Sequence, residues 1–257
     1  MQGFAALDWV VIGIYFALIA ALAAWVMSRK QQNTEDYFLA GRNIGWFVVG
    51  ASIFASNIGS EHVVGLAGAG AGGKIYELHA WLVITLGWIF LPFYIRSGVF
   101  TMPEFLERRF DSRTRWFLSV FSLIAYVLTK ISVTVYAGGI VISSILHIDF
   151  WFGALMTVIL TGVYTILGGM RAVVYTEALQ TMVFVIGAGT LTFIGLNSVG
   201  GWEGMKGSLE PGYLNMWRPA TDPDFPWPSL VITSTVVGIW YWCTDQYIVQ
   251  RVLAAKN

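Results

Sequence analysis

The sequence predicts an all-α membrane protein that crosses its bilayer several times, and three observations predict it. Only 12% of the 257 residues are charged and 56% are apolar, whereas an ordinary soluble domain is about 25% charged. Uncharged apolar runs of helical length recur along the chain, and ~20 such residues suffice to cross a hydrocarbon core. Lys and Arg are concentrated in alternate loops, the asymmetry that sets orientation in a membrane.

The first helix is expected over residues 8–28. Its core, Val10 to Met27, is uncharged. A cleaved signal peptide would carry positive charge ahead of the apolar run; here Asp8 precedes it and Arg29 and Lys30 follow, so the helix is read as retained. Glu35 to Arg42 reads as a polar link. A second span covers about Ile44 to Ala71 and a third about Leu78 to Ile95. The fourth, about Trp116 to Leu146, is longer than a crossing needs and must tilt or protrude. Phe150 to Leu167 and Ala172 to Leu196 are the fifth and sixth spans. Residues 198–228 form an extracellular loop bearing Gly, Pro and Trp, and a seventh span begins near Ser229.

With the N-terminus outside, the inner loops carry Arg29, Lys30, Arg42, Arg96, Arg108, Arg109, Arg113, Arg115, Arg171, Arg251 and Lys256. The outer loops carry Lys74, Lys206 and Arg218. That distribution obeys the positive-inside rule and fits a multi-pass protein of the plasma (cell inner) membrane, in contact with its lipids. The 15 basic and 15 acidic residues cancel, so no bulk field points to nucleic acid. A single cysteine, Cys243, excludes an internal disulfide. The three histidines are scattered, so no Cys/His metal set is present. No nucleophile–base pair stands out, and an enzyme is not expected.

The most informative stretch is Ala51 to Gly73. Inside an apolar span it carries Ser56, Asn57, Gly59, Ser60, Glu61 and His62. Ionisable residues at membrane depth cost roughly 2.5–3.5 kcal/mol on insertion scales and mark functional sites, and Gly59 weakens the helix. The expected element is a discontinuous helix whose loosened turn offers carbonyls to a cation and side chains, Asn57 and His62 among them, to a polar solute. The following GAGAGGK (68–74) matches part of a phosphate loop, but no strand precedes it and Ile75 stands where Ser or Thr is needed; close helix packing is the better reading.

Other polar residues fall near span ends or breaks. Glu77 sits at the mouth of the third span, either gripping paired hydroxyls or solvated as an interfacial acid. Glu177 lies early in the sixth span; Arg171 is a poor partner at two turns' distance, and the carboxylate could attract an escaping cation. Lys130 is mid-span and could neutralise one of the acids. Trp240, Tyr241 and Trp242 precede a second polar break at Cys243 to Gln246, where aromatic faces suit a sugar ring or a gate; the alternative is an interfacial belt.

Five segments carry a resemblance: DYFLAGR (36–42), SNIGSEHVVGLAGAG (56–70), FTMPEFLERRF (100–110), GGMRAVVYTEALQT (168–181) and WYWCTDQYIVQRVLAAKN (240–257). In them the chain resembles the sodium:solute symporters, and more closely their sodium/glucose cotransporter branch. The resemblance implies a LeuT-like inverted-repeat fold with one extra helix in front. The first five-helix repeat would be 44–197 and the start of the second 229–257. It implies a complete member about twice this length, so the chain is expected to be an N-terminal fragment.

Residue by residue, Asn57, His62 and Glu77 fall where that branch contacts sugar, and Tyr241, with Trp242 beside it, on the inner gate. Ala55 and Ile58 would give backbone carbonyls to sodium. Glu177 falls on the sodium release path, where the family usually has Asp. Leu78 and His79 depart from the sugar carriers' pattern. The function implied is sodium-coupled symport of a glucose- or galactose-like sugar, with sodium as the coupling ion and no other cofactor. The alternatives are a symporter for inositol, a carboxylate or an amino acid, and a membrane sensor domain of a signalling protein.

Overall fold

The computed structural model describes residues 5–29, 33–59, 62, 80–215, 217–224 and 226–256. Helix α1 (Ala6–Met27) opens with Asp8 accepting the Ala5 N–H at 2.9 Å. Residues 35–42, expected to be a link, are instead a short helix, α2 (Thr34–Leu39), followed by a 3-10 turn (Ala40–Arg42). Its start follows from the sequence: the Asn33 side chain accepts the Asp36 N–H at 2.8 Å, an N-cap of the common kind. Its end is anchored by Leu39, fully buried among Tyr94, Met102, Val249 and Leu253.

Helix α3 (Trp46–Asn57) is apolar but only 12 residues long, or about 18 Å, well short of a ~30 Å core. The third span is built of α4 (Ala80–Thr85), a π-helical turn (Leu86–Phe90) and α5 (Leu91–Ser97). After Gly98 it meets α6 (Met102–Arg109) at a 70° bend. The fourth runs through α7 (Ser112–Ala125), a π-helical turn (Tyr126–Ile131) and α8 (Ser132–Leu146). It starts four residues before Trp116 because Asp111 caps it, accepting the Thr114 N–H at 2.8 Å. That bond, with one from the Thr114 hydroxyl, holds the Asp111 carboxyl below the usual carboxylate range.

Helix α9 (Phe150–Ser198) has 49 residues, about 74 Å of rise, more than twice a hydrocarbon core. It is divided at Gly169, whose φ of 57° and ψ of −158° are open essentially to glycine alone. The division falls between the expected fifth and sixth spans. A second glycine, Gly139, lets α8 lie against α9: a Cβ there would stand 2.6 Å from the Phe150 ring. Helix α10 (Gly201–Gly207) sits within the expected loop. The last span is α11 (Trp227–Gly238), a π-helical turn (Ile239–Thr244) and α12 (Gln246–Leu253).

Among the described residues, Ala6–Met27, Ser112–Leu146 and Phe150–Ser198 are each long and apolar enough to cross a membrane. Large apolar side chains face outward, with Trp116, Phe117 and Leu128 each about two-thirds exposed, the inverse of a water-soluble surface. The packed interior lies where α3, α5, α9 and α12 meet. Ile44 and Ala255 pair there as a short parallel bridge, with the Lys256 N–H donating to the Ile44 carbonyl at 2.8 Å. Two short helices, α3 and α12, are thereby joined at their far ends.

Candidate functional site

Helix α3 stops at Asn57. Ile58 is extended, at φ −125° and ψ 92°, and Gly59 follows. Two side chains in the last turn bond back onto one carbonyl: the Ser56 hydroxyl and the Asn57 amide both donate to Ile53, at 2.9 and 2.7 Å. Such local bonds compete with continuation of a helix. Beyond the break, the His62 Nδ1 accepts the Gly59 N–H at 3.3 Å, and the His62 N–H donates to the Gly59 carbonyl at 3.0 Å.

The second interruption is at Asp245, extended at φ −68° and ψ 127° between the π-helical turn and α12. Its carboxylate caps α12 by accepting the Tyr247 N–H at 3.0 Å. It is buried, accepts a hydrogen bond from the Tyr126 hydroxyl, and lies 3.5 Å from Lys130 Nζ. Burying an acid in an apolar span is costly unless it is paired and hydrogen-bonded; Tyr126 and Lys130, one turn apart on the fourth span, supply both.

The two breaks meet. The Tyr241 hydroxyl donates to Asn57 Oδ1 at 2.6 Å, and the Tyr247 hydroxyl donates to the Ser56 carbonyl at 3.1 Å. Between them is a cavity of about 510 Å³, lined by Gly50, Ile53, Phe54, Asn57, Ile58, His62, Val83, Val237, Gly238, Tyr241 and Trp242. Its character is that of a small-molecule pocket, apolar walls with a few convergent polar groups. Four of the residues expected to touch solute (Asn57, His62, Tyr241 and Trp242) are brought together here. The fifth, Glu77, lies outside the described residues, as do Glu61 and the glycine-rich 68–74. Trp240, by contrast, is more than half exposed and does not line this cavity.

Ala55 and Ile58, expected to offer carbonyls to sodium, sit at the end of α3 where unpaired carbonyls and the negative end of the helix dipole gather. The Ala55 carbonyl accepts a stretched 3.4 Å bond from the Ile58 N–H. Both residues also line an apolar cavity of about 730 Å³ against α1, α8 and α9.

Glu177 stands apart from the cavity, in a buried ion pair. Arg251 Nη2 donates to its Oε1 at 2.6 Å and Nε to its Oε2 at 3.1 Å. The Ser52 hydroxyl also donates to Oε2, and Arg251 Nη1 reaches the Tyr247 carbonyl at 2.6 Å. The fork of a guanidinium matches a carboxylate in this way. Arg171, the poor sequence partner, instead donates to the Ala40 carbonyl at 3.0 Å. Glu177 therefore links α3, α9 and α12 in this conformation. Sequence reading assigned no role to Tyr247 or Ser52, counted Asp245 only as part of the second polar break, and placed Arg251 in an inner loop, whereas it is buried in α12 because it pairs with Glu177. Asp245 carried a signal all the same: an acid in an apolar span, two residues before the N–H it caps.

The family model of the sodium:solute symporters matches residues 37–257. Sodium/glucose cotransporter 1 of Oryctolagus cuniculus is 42% identical over 281 aligned residues, covering 98% of this chain and 42% of that protein. Sodium/glucose cotransporter 4 of Danio rerio is 43% identical, with 98% and 42% covered. The sodium/myo-inositol cotransporter of Homo sapiens is 39% identical, with 97% and 39% covered. The chain thus spans about two-fifths of the length of these curated relatives.

A solved structure of a Na+-coupled sialic acid symporter, substrate-bound and outward-open, superposes with a TM-score of 0.82 at 22% identity, covering 99% of this chain and 54% of that one. That likeness establishes a LeuT-like fold. The family match begins at Tyr37, inside α2, and runs to the last residue, and on that breadth the chain belongs to the sodium:solute symporter family.

Proposed function

We propose that the protein carrying this chain couples sodium entry to uptake of a glucose- or galactose-like sugar across the plasma membrane, with its N-terminus outside. One observation carries the reading: the Tyr241–Asn57 bond joins two broken helices across a cavity of about 510 Å³. Residues 44–197 are proposed as the first repeat and 229–257 as the start of the second.

Sodium binds first, on the Ala55 and Ile58 carbonyls, and holds the outward-open form. Sugar hydroxyls then bond to Asn57, His62 and Glu77, with Tyr241 and Trp242 closing the site beneath. The broken helices rock against the scaffold and open the site inward. Glu177 meets the departing ion only as its pairing with Arg251 loosens. One charge crossing 100 mV gives about 2.3 kcal/mol, and a tenfold sodium gradient about 1.4 kcal/mol. Together these sustain a solute gradient of several hundredfold.

The test is uptake of labelled D-glucose by proteoliposomes holding the whole protein, with sodium replaced by choline. Uptake indifferent to sodium would end the proposal. Glu77→Ala should weaken apparent sugar affinity, and unchanged affinity would remove Glu77 from the site. The second reading is myo-inositol, supported by the 39–42% identity of relatives that carry it by name. Competition between labelled inositol and glucose separates the two.

A further inference from the structure

The first break has a second contact, one that the solute cavity does not use. Tyr247, two residues past the second break, donates its hydroxyl to the Ser56 carbonyl in the last turn of α3. Peptide units are rigid planes hinged at shared Cα atoms, so the direction of the Ser56 carbonyl constrains the peptides on either side. Those neighbours carry the Ala55 and Asn57 carbonyls, and the Ile58 carbonyl follows one peptide further on, past the extended Ile58.

Tyr247 is itself held by two cations over its ring. Lys130 Nζ lies 3.8 Å from its ring centroid and the Arg251 guanidinium 4.2 Å. Both cations are tethered by acids, Lys130 near Asp245 and Arg251 on Glu177. A cation over a phenol ring is attracted to its π face and draws electron density from the ring, which makes the O–H a stronger donor. The ring is therefore held in place and its hydroxyl strengthened toward the Ser56 carbonyl at the end of α3.

We propose that Tyr247 is a positioning residue for the coupling cation: by holding the Ser56 carbonyl it aims the Ala55 and Ile58 carbonyls, so that the second broken helix sets ion affinity at the first. The proposal rests on the sodium-symport reading above. It gives the two breaks separate joints, Tyr241 on the solute-facing Asn57 and Tyr247 on the ion-facing end of the backbone.

Tyr247→Phe keeps the ring beside its cations and removes the hydroxyl. In proteoliposomes, the sodium concentration for half-maximal uptake of labelled D-glucose or myo-inositol should rise about fivefold, the equivalent of one neutral hydrogen bond. Solute half-saturation at saturating sodium should move less than twofold. Lys130→Gln keeps the hydroxyl and removes one cation, and should shift sodium half-saturation in the same direction by about twofold. A merely structural role would lower the maximal rate and leave sodium half-saturation where it was, which overturns the proposal. Equal shifts for sodium and solute also overturn it. Labelled-sodium binding to purified protein reads the same half-saturation if a variant turns over too slowly. Wild-type uptake that ignores sodium defeats the symport reading instead, so the two failures are distinguishable.

Discussion

Replacing Glu177 by Gln leaves the Arg251 guanidinium charged and nearly enclosed, with a side-chain exposure of 6%. The carboxylate accepts three hydrogen bonds here, two from Arg251 and one from Ser52. Gln keeps one acceptor oxygen, loses the charge, and turns an NH2 toward the guanidinium. Breaking a buried ion pair by removing one partner costs about 3–5 kcal/mol, mostly from the charge left behind. Glu177→Gln should fall near 3 kcal/mol and Glu177→Ala near the upper end. Arg251→Met should also destabilise, but the double variant Glu177→Gln/Arg251→Met removes both charges and should be more stable than the sum of the single losses by at least ~1.5 kcal/mol. The assay is equilibrium unfolding in mixed micelles, followed by circular dichroism for all four proteins. A Glu177→Gln variant as stable as wild type, or a cycle additive within ~0.5 kcal/mol, would show that the pair does not hold α3, α9 and α12 together.

Two further outcomes follow from the geometry. Tyr241→Phe leaves the part-buried Asn57 Oδ1 without its 2.6 Å donor; with a net hydrogen bond worth about 0.5–1.5 kcal/mol, apparent solute affinity should fall by roughly two- to tenfold, and unchanged uptake kinetics would detach Tyr241 from the site. Gly169→Ala places a Cβ on backbone at φ 57° and ψ −158°, which costs about 1–3 kcal/mol; a lowered unfolding midpoint in detergent is expected, and an unchanged one would mean that the kink relaxes.

The helical class and the position of both breaks could be read from local sequence because each depends on neighbours. Polar residues crowd Ser56 to His62, and Gly59 weakens the helix there. Cys243 to Gln246 interrupt an apolar run in the same way. Residues 35–42 read as a link, yet Asn33 and the acids after it form a helix start; the run is too short for periodicity to show, and its stability comes from burying Leu39 against residues more than 50 positions away. The expected fourth span began late for a related reason, since Asp111 caps a turn that the apolar count alone does not include.

Pairings across the chain were not legible, and the sequence separations show why. Tyr241 meets Asn57 across 184 residues, Tyr247 meets Ser56 across 191, and Arg251 meets Glu177 across 74. A buried acid in an apolar span demands a partner, which is a local statement; which partner answers is decided by packing. Lys130 shows the difference. Its mid-span charge called for an acid, and Glu177 was available. Glu177, however, presents two oxygens beside Ser52, a geometry that suits the planar fork of Arg251 better than the point charge of a lysine. Asp245 turns one oxygen to Tyr126 and the Tyr247 N–H and the other toward Lys130, which a compact ammonium on a flexible stem can meet. Shape of the donor group, rather than charge, sorts the two cations between the two acids, and both cations so held lie over the Tyr247 ring.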